Sequence, residues 1–280
     1  MPVTLADNNY GKSQVRLVKV IRQGDRHDLK DLTVDLQLRG DFEAAHTAGD
    51  NSRVLPTDTM KNTVYALAAR HPIDQIEEFG KVLAARLLNK NPQVSQAGVS
   101  IREHVWTRII AGGVPHRHAF AAAGGEKRTA LVTAAGDRVT VESGIEDLVV
   151  LKTTRSAFTG FVHDEFTTLP ETHDRIFCTS IRASWVYAHP DVAFGLCWRG
   201  VRQVLLDTFA DHDSQSVQHT LYAMGEAVLE VHEDVVEIRL SLPNRHHLLV
   251  NLSPFGIANP NEIFVPTEEP YGLIEAVLRK

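Results

Sequence analysis

The sequence predicts an α+β fold in which antiparallel sheet carries helices on one face. Three observations lead there. Near the start, two strand-like apolar runs are joined by a short polar turn, which reads as a hairpin. Between positions 74 and 88 apolar residues recur at helical spacing instead of alternating. The second half then repeats the order of strands, helical region and strands, without any residue-level repeat.

The elements follow in chain order. Residues 1–9 carry no pattern and predict a flexible or partner-held arm. Val15, Leu17, Val18, Val20 and Ile21, then Leu32, Val34, Leu36 and Leu38, form the hairpin around a turn at 23–28. Residues 41–51 are small and polar and predict a loop or short helix. Residues 54–59 predict a polar turn that contains Thr57 and Asp58. Ile76, Phe79, Val82, Leu83 and Leu87 make one face of a helix and Glu77, Glu78, Lys81 and Arg86 the other, with Asp74 and Glu77 as a helix-start pair. Strand-like runs follow at 99–110, 116–122, 128–133 and 139–143. Beyond them, 148–152 and 176–187 read as strands, 199–210 and 217–231 as amphipathic helices, 235–242 and 248–252 as strands, and 271–278 as a last run. This duplicated order divides the chain into domains of 1–140 and 141–280.

Composition narrows the function. With 43% hydrophobic and 23% charged residues, the 280-residue chain is an ordinary soluble globular protein, and no apolar run is long enough to span a bilayer. A net charge of −6, with 29 basic residues scattered among 35 acidic ones, gives no reason to expect nucleic acid as a partner. Cys178 and Cys197 fit a reducing compartment and match no zinc spacing, so both are expected as buried thiols.

One stretch stands out chemically. Residues 240–250 have apolar ends, and between them Pro243, Asn244, Arg245, His246 and His247 interrupt the strand pattern with groups that bind, donate or titrate. Pro243 cannot donate to a ladder, so a kink or an edge is expected there. Asn244 and His246, two residues apart, then project to one side. Taken alone, Pro-Asn is also a common turn pair, and His-His before an apolar run is also how a strand begins at a wet surface.

Further blocks give this stretch its context. Tyr10-Gly11-Lys12, Thr57-Asp58-Thr59 with Lys61-Asn62-Thr63, Leu151-Lys152, Phe158 with Gly160-Phe161, Phe166-Thr167-Thr168-Leu169, Asp174-Arg175-Ile176, Val217-Gln218, Ser241 through His246 and Tyr271 through Glu275 occur in this order. In these blocks the chain resembles the urate oxidase (uricase) family over nearly its whole length. The resemblance implies tandem tunnelling-fold domains (T-folds). It also implies a homotetramer with active sites at subunit interfaces, and oxidation of urate by dioxygen and water to 5-hydroxyisourate and hydrogen peroxide with no cofactor.

Urate is a flat, electron-rich anion, so its site needs a face to stack on, a bidentate cation and donors around one edge. Phe158 offers the face, Arg175 a planar fork that lysine cannot imitate, and Gln218 an amide for the opposite edge. Val217 and Gln218 follow a helix start at Asp213-Ser214-Gln215-Ser216, whose unpaired backbone amides favour an anion. By type alone Phe158 is more often core, Arg175 after Asp174 a surface ion pair and Gln218 a solvated residue. The resemblance implies proton-relay roles for Lys12, Thr57 and His246, and urate contacts for Thr57, Asp58, Phe158, Arg175, Val217, Gln218 and Asn244. It further implies that Thr57 and Asn244 hold dioxygen or water. A lysine base requires burial or a neighbouring cation to lower its pKa. Arg245, where the family often has lysine, and Thr159, where bulkier residues are common, are the departures. The sequence ends Leu278-Arg279-Lys280 without the Ser-Lys-Leu peroxisomal address, so a cytoplasmic location is expected.

Two rivals stand beside this reading. One is a T-fold enzyme acting on a pterin or related purine, which would want an acidic anchor for the ring. The other is a metal site built from His116 and His118 with His246 and His247, for which no fixed carboxylate is signalled.

Overall fold

The computed structural model describes residues 3–280. The expected α+β class is present: helices and antiparallel ladders, with the strands β1 (Tyr10–Gln23), β2 (Arg26–Gly40), β3 (Val94–Ala111), β4 (Val114–Ala135), β5 (Arg138–Lys152), β6 (Phe177–Tyr187), β7 (Val235–Leu249) and β8 (Phe264–Arg279) keeping chain order. The chain divides into two compact units. One comprises the residues up to Gly144 with Val186–Leu196, the other Ile145–Trp185 with Cys197–Lys280. Of the expected arm, Met1 and Pro2 lie outside the described residues. Residues 3–9 form no element, and Asp7 pairs with Arg39 while Asn9 Nδ2 donates to Gln37 at 3.3 Å.

In the first unit β1 to β4 make an antiparallel meander. Val15 pairs with Val34, Val34 with Ile101 and Ile101 with Ala130. Alternation along β2 places Leu32, Val34, Leu36 and Leu38 on one buried face, with Asp31 and Thr33 buried on the other. The helix α3 (Ile76–Lys90) lays Ile76, Phe79, Leu83 and Leu87 against β3 and β4, each such burial contributing roughly 1.5–3 kcal/mol. Close approach depends on Gly80, because a Cβ there would lie 2.7 Å from Val132 Cγ2.

Three expectations for this unit are corrected. The hairpin turn is tighter than 23–28, since the strands run to Gln23 and resume at Arg26. Asp74 and Glu77 form no cap: the N-cap residue is Gln75, and Glu77 is fully buried, accepting from Arg128 at 2.6 Å and from Ser143. A carboxylate taken out of water needs a cation more than a helix end does. The polar turn at 54–59 is instead the start of α2 (Thr57–Arg70). Its buried face is only Met60, Val64 and Ala68, one residue per turn, which is too narrow a stripe to stand out in the sequence. The short helix expected within 41–51 is α1 (Glu43–Thr47).

In the second unit the part of α4 (Phe194–Asp211) from Cys197 onward buries Val201, Leu205 and Phe209, and α5 (Val217–Val231) buries Leu221, Met224 and Val228 while packing on β7 and β8. Ile181 and Trp185 of β6 are wholly inside, and both cysteines are buried free thiols. Strands read as separate pairs prove continuous: 116–122 with 128–133 in β4, 139–143 with 148–152 in β5, and most of 235–252 in β7. Pro243 therefore does not interrupt its strand, which lies between β6 and β8 and not at an edge; it pairs in register with Leu273. The irregularity falls just beyond it. Asn244 faces Gly272 but His246 faces Thr267, so residues 268–271 of β8 lie opposite the single residue Arg245.

Candidate active site

Lys12 stands on β1 opposite Leu36, directly before a register shift between Lys12 and Val15, and is half-buried. Gly11 permits this position, since a Cβ there would lie 1.8 Å from the Leu36 carbonyl oxygen. Tyr10 shares a strand face with Lys12 and anchors the chain that precedes α2. Leu55 N–H donates to Tyr10 Oη at 2.9 Å, and Tyr10 O–H donates back to Leu55 O at 3.2 Å. At the far end Lys19 Nζ donates to the carbonyls of Ala68 and His71, each at 2.6 Å, and so caps the C-terminus of α2. With both ends tied, α2 lies along β1 and its first residue, Thr57, sits half-buried beside the Lys12 end of the strand.

Asp58 is exposed, and its carboxylate is taken up by its own helix through Lys61 and through Asn62 Nδ2 at 2.9 Å. Lys61 holds that carboxyl below its ordinary pKa, and the field of Lys12 adds to the pull, which puts Lys12 within electrostatic reach of the start of α2.

The second unit carries the ring-binding groups. Ala157 N–H donates to Ser214 O at 2.7 Å and Ser214 N–H to Arg155 O at 3.0 Å, laying 155–157 along the segment that leads into α5. Phe158 exchanges backbone hydrogen bonds with Thr172 at 2.7 and 3.0 Å, which brings Arg175 round so that its guanidinium lies over the Phe158 ring, 5.3 Å from the centroid. Phe161 stacks on the same ring at 4.8 Å. Asp174 does not pair with Arg175: it accepts from Thr154 Oγ1 at 2.8 Å and from Ser156 N–H. Loss of water around Arg175 lowers its pKa from the usual arginine value, so a cation is held where an anion would be welcome.

Ser216 is the N-cap of α5, its hydroxyl accepting from His219 N–H at 3.1 Å. Val217 is buried and Gln218 exposed at the first two helical positions, as the helix start at 213–216 predicted. On β7, Asn244 Nδ2 meets His246 Nδ1 at 3.5 Å, so the two side chains do share a side. His116 and His118 contact each other edge-on at 4.6 Å in the first unit, while His246 bonds Asn244 and His247 Nδ1 meets Arg245 O in the second. Among the described residues no group of three or more potential ligands is arranged to hold a metal, and no helix is long and apolar enough to cross a membrane.

The structure thus brings Phe158 together with Arg175, and Asn244 with His246, and sets Lys12 beside the α2 terminus that bears Thr57. Sequence reasoning did not single out the anchoring roles of Tyr10 and Asp174. A tyrosine ahead of Gly11 was the available signal for the first; nothing in the sequence separated Asp174 from an ion-pair partner.

Comparison with known proteins identifies what the chain is similar to. The profile of the uricase family matches residues 8–133 and 141–275. A uricase of Arthrobacter globiformis is 47% identical over 278 residues, 99% of this chain and 90% of that protein. A uricase of Dictyostelium discoideum is 37% identical across 99% of this chain and 98% of its own length. The crystal structure of the Arthrobacter globiformis uricase superposes with a TM-score of 0.95, covering 100% of this chain and 96% of that one.

Proposed function

The chain belongs to the uricase family and is a urate oxidase, and from that premise we propose that it converts urate, dioxygen and water to 5-hydroxyisourate and hydrogen peroxide without a cofactor. The observation that carries the reading is Arg175: a partly desolvated guanidinium over an aromatic ring, on the path that leads to the N-terminal amides of α5. Urate stacks on the face of Phe158 that the Arg175 guanidinium covers here, the guanidinium moving aside to the edge of the ligand while Phe161 keeps its stacked place. Its anionic edge takes the Arg175 fork, and the opposite edge meets the Val217 amide and the Gln218 side chain.

Lys12 then takes a proton from bound urate, with Thr57 passing it along and His246 keeping the lysine poised. Asn244 and Thr57 hold dioxygen over the ring and afterwards the attacking water. Dioxygen takes two electrons from urate and leaves with two protons as hydrogen peroxide. Water supplies the hydroxyl of 5-hydroxyisourate, so atoms and electrons balance with no outside reductant.

The reading includes assembly. Each unit is a T-fold domain, and the chain forms a homotetramer in which Lys12 and Thr57 of one subunit complete a site with Phe158, Arg175 and Gln218 of another. The two buried free thiols favour a reducing, cytoplasmic setting. The test is to mix purified protein with urate in air and follow the urate absorption band and peroxide together. Loss of urate with equimolar peroxide is expected. Urate loss without peroxide, or no loss, overturns the reaction.

A further inference from the structure

Behind the ring-binding groups of the second unit lies a cluster that the reaction itself does not use. Lys152, at the end of β5, is half-buried, and its Nζ donates to the carbonyl of His212 at 2.6 Å, the first residue beyond α4. The ammonium also sits over two aromatic rings, 5.9 Å from the centroid of Phe177 and 5.5 Å from that of Phe209. Withdrawal from water lowers its pKa, so this is not a solvated lysine that happens to lie close. His212 continues the chain of contacts, its Nδ1 meeting the hydroxyl of Thr220 at 3.0 Å, and Thr220 is wholly buried in the first turn of α5. The ring of His219 closes over His212 edge-on at 4.3 Å.

The ends of this path matter. Phe177 stands two residues after Arg175, and Thr220 two residues after Gln218. Two groups meant to grip opposite edges of one rigid ring must hold a fixed separation, because a planar ligand cannot adjust to a clamp that breathes. Each depends on what supports it: Arg175 lies on the segment that precedes β6, and Gln218 is exposed at the second position of α5. We infer that Lys152, His212 and Thr220 form a brace that sets the spacing between Arg175 and Gln218, and so act as positioning residues for urate. The cation is suited to the centre of such a brace. It caps the negative end of α4 and attracts both ring faces without needing a fixed bond direction to either. The inference rests on the urate-binding reading given above.

The test uses the full-length protein and the variants Thr220→Val, Thr220→Ser and Lys152→Met. Thr220→Val keeps the volume and removes the hydroxyl. It is expected to raise KM for urate about three- to tenfold, the usual worth of one lost hydrogen bond, with kcat changed less than about twofold. Thr220→Ser is expected to restore KM. Lys152→Met combined with Thr220→Val is expected to cost no more than Lys152→Met alone, because both cut one brace. Independently of substrate, amide exchange at residues 217–219 is expected to quicken in Thr220→Val. Unchanged KM and exchange in Thr220→Val, equal damage in the valine and serine variants, or additive effects in the double variant each refute the brace. A parent protein that does not oxidise urate refutes the reaction instead, and the exchange comparison still decides whether the brace exists.

Discussion

Replacing Arg175 by lysine keeps the positive charge and removes the fork, which makes it the sharpest probe of the clamp. The guanidinium is partly desolvated over Phe158, and Asp174, its only neighbouring acid in sequence, is occupied by Thr154 and Ser156. Nothing in its surroundings would compensate the exchange. A lysine ammonium offers a point charge, so one of two parallel charge-assisted hydrogen bonds to urate is lost, worth about 1.5–3 kcal/mol. That corresponds to a rise in KM of about 10- to 150-fold. The assay is steady-state loss of urate absorption, with equilibrium binding of a non-reacting purine analogue to separate affinity from turnover. A KM within about twofold of the parent, with analogue binding intact, would refute the assignment of Arg175 to the substrate.

Four further outcomes are expected. Lys12→Met should lower kcat by about 100-fold or more while the purine analogue still binds, since only proton transfer is lost; equal loss of analogue binding would make Lys12 a ligand or a fold residue. Subunits carrying Lys12→Met and subunits carrying Arg175→Ala, unfolded together and refolded as mixed oligomers, should regain activity. Mixed oligomers seen by mass measurement that remain inactive would refute the shared site. Chelator-treated protein should keep full activity on urate, and activity lost on chelation and restored by metal would contradict cofactor-free chemistry. Burial, as the first cause, lowers the pKa of both His104 and His212 below the ordinary 6.5. The unfolded chain therefore binds protons that the folded one refuses, so stability should be full above 6.5 and fall as pH drops through it towards the depressed folded values. Urea midpoints between about pH 7.5 and 5 check this, and a flat or rising profile towards acid would contradict it.

The strands and the wider helices were legible because their apolar periods are set by the faces they bury. The run at 74–88 presents Ile76, Phe79, Leu83 and Leu87, four large residues on one stripe, and it became α3. The region after Pro56 buries a single residue per turn, Met60, Val64 and Ala68, and became α2 unannounced. It is a helix because β1 holds it at both ends, through Tyr10 and Lys19, and such contacts across 45 to 52 residues leave no local pattern. Strands at 116–133 and 235–252 looked interrupted because exposed or polar residues stood in their middles. Ladder pairing tolerates a polar face and even Pro243, so the backbone ran on. At the site, residue types suggested a ring face, a fork and an amide, but only the order of the blocks joined Phe158, Arg175 and Gln218 into one proposal. What could not be read was which acid serves whom: Asp174 holds a loop and Glu77 a core arginine, outcomes fixed by neighbours far along the chain.

The jump in pairing between β7 and β8 has a bearing on how this protein can change. Because Asn244 faces Gly272 and His246 faces Thr267, the intervening 268–271 contribute no register to either flank. Residues could be added or removed there without shifting the partners of Asn244 or of the strand beyond it. Through Glu268, Glu269 and Tyr271, and together with Pro243 and Arg245, this segment lines a cavity of about 540 Å³ whose other walls include Glu146, Arg182 and Glu275. The segment is therefore a length-tolerant insert, where variation, natural or engineered, can remodel the size and charge of a cavity while Asn244 and His246 keep their places.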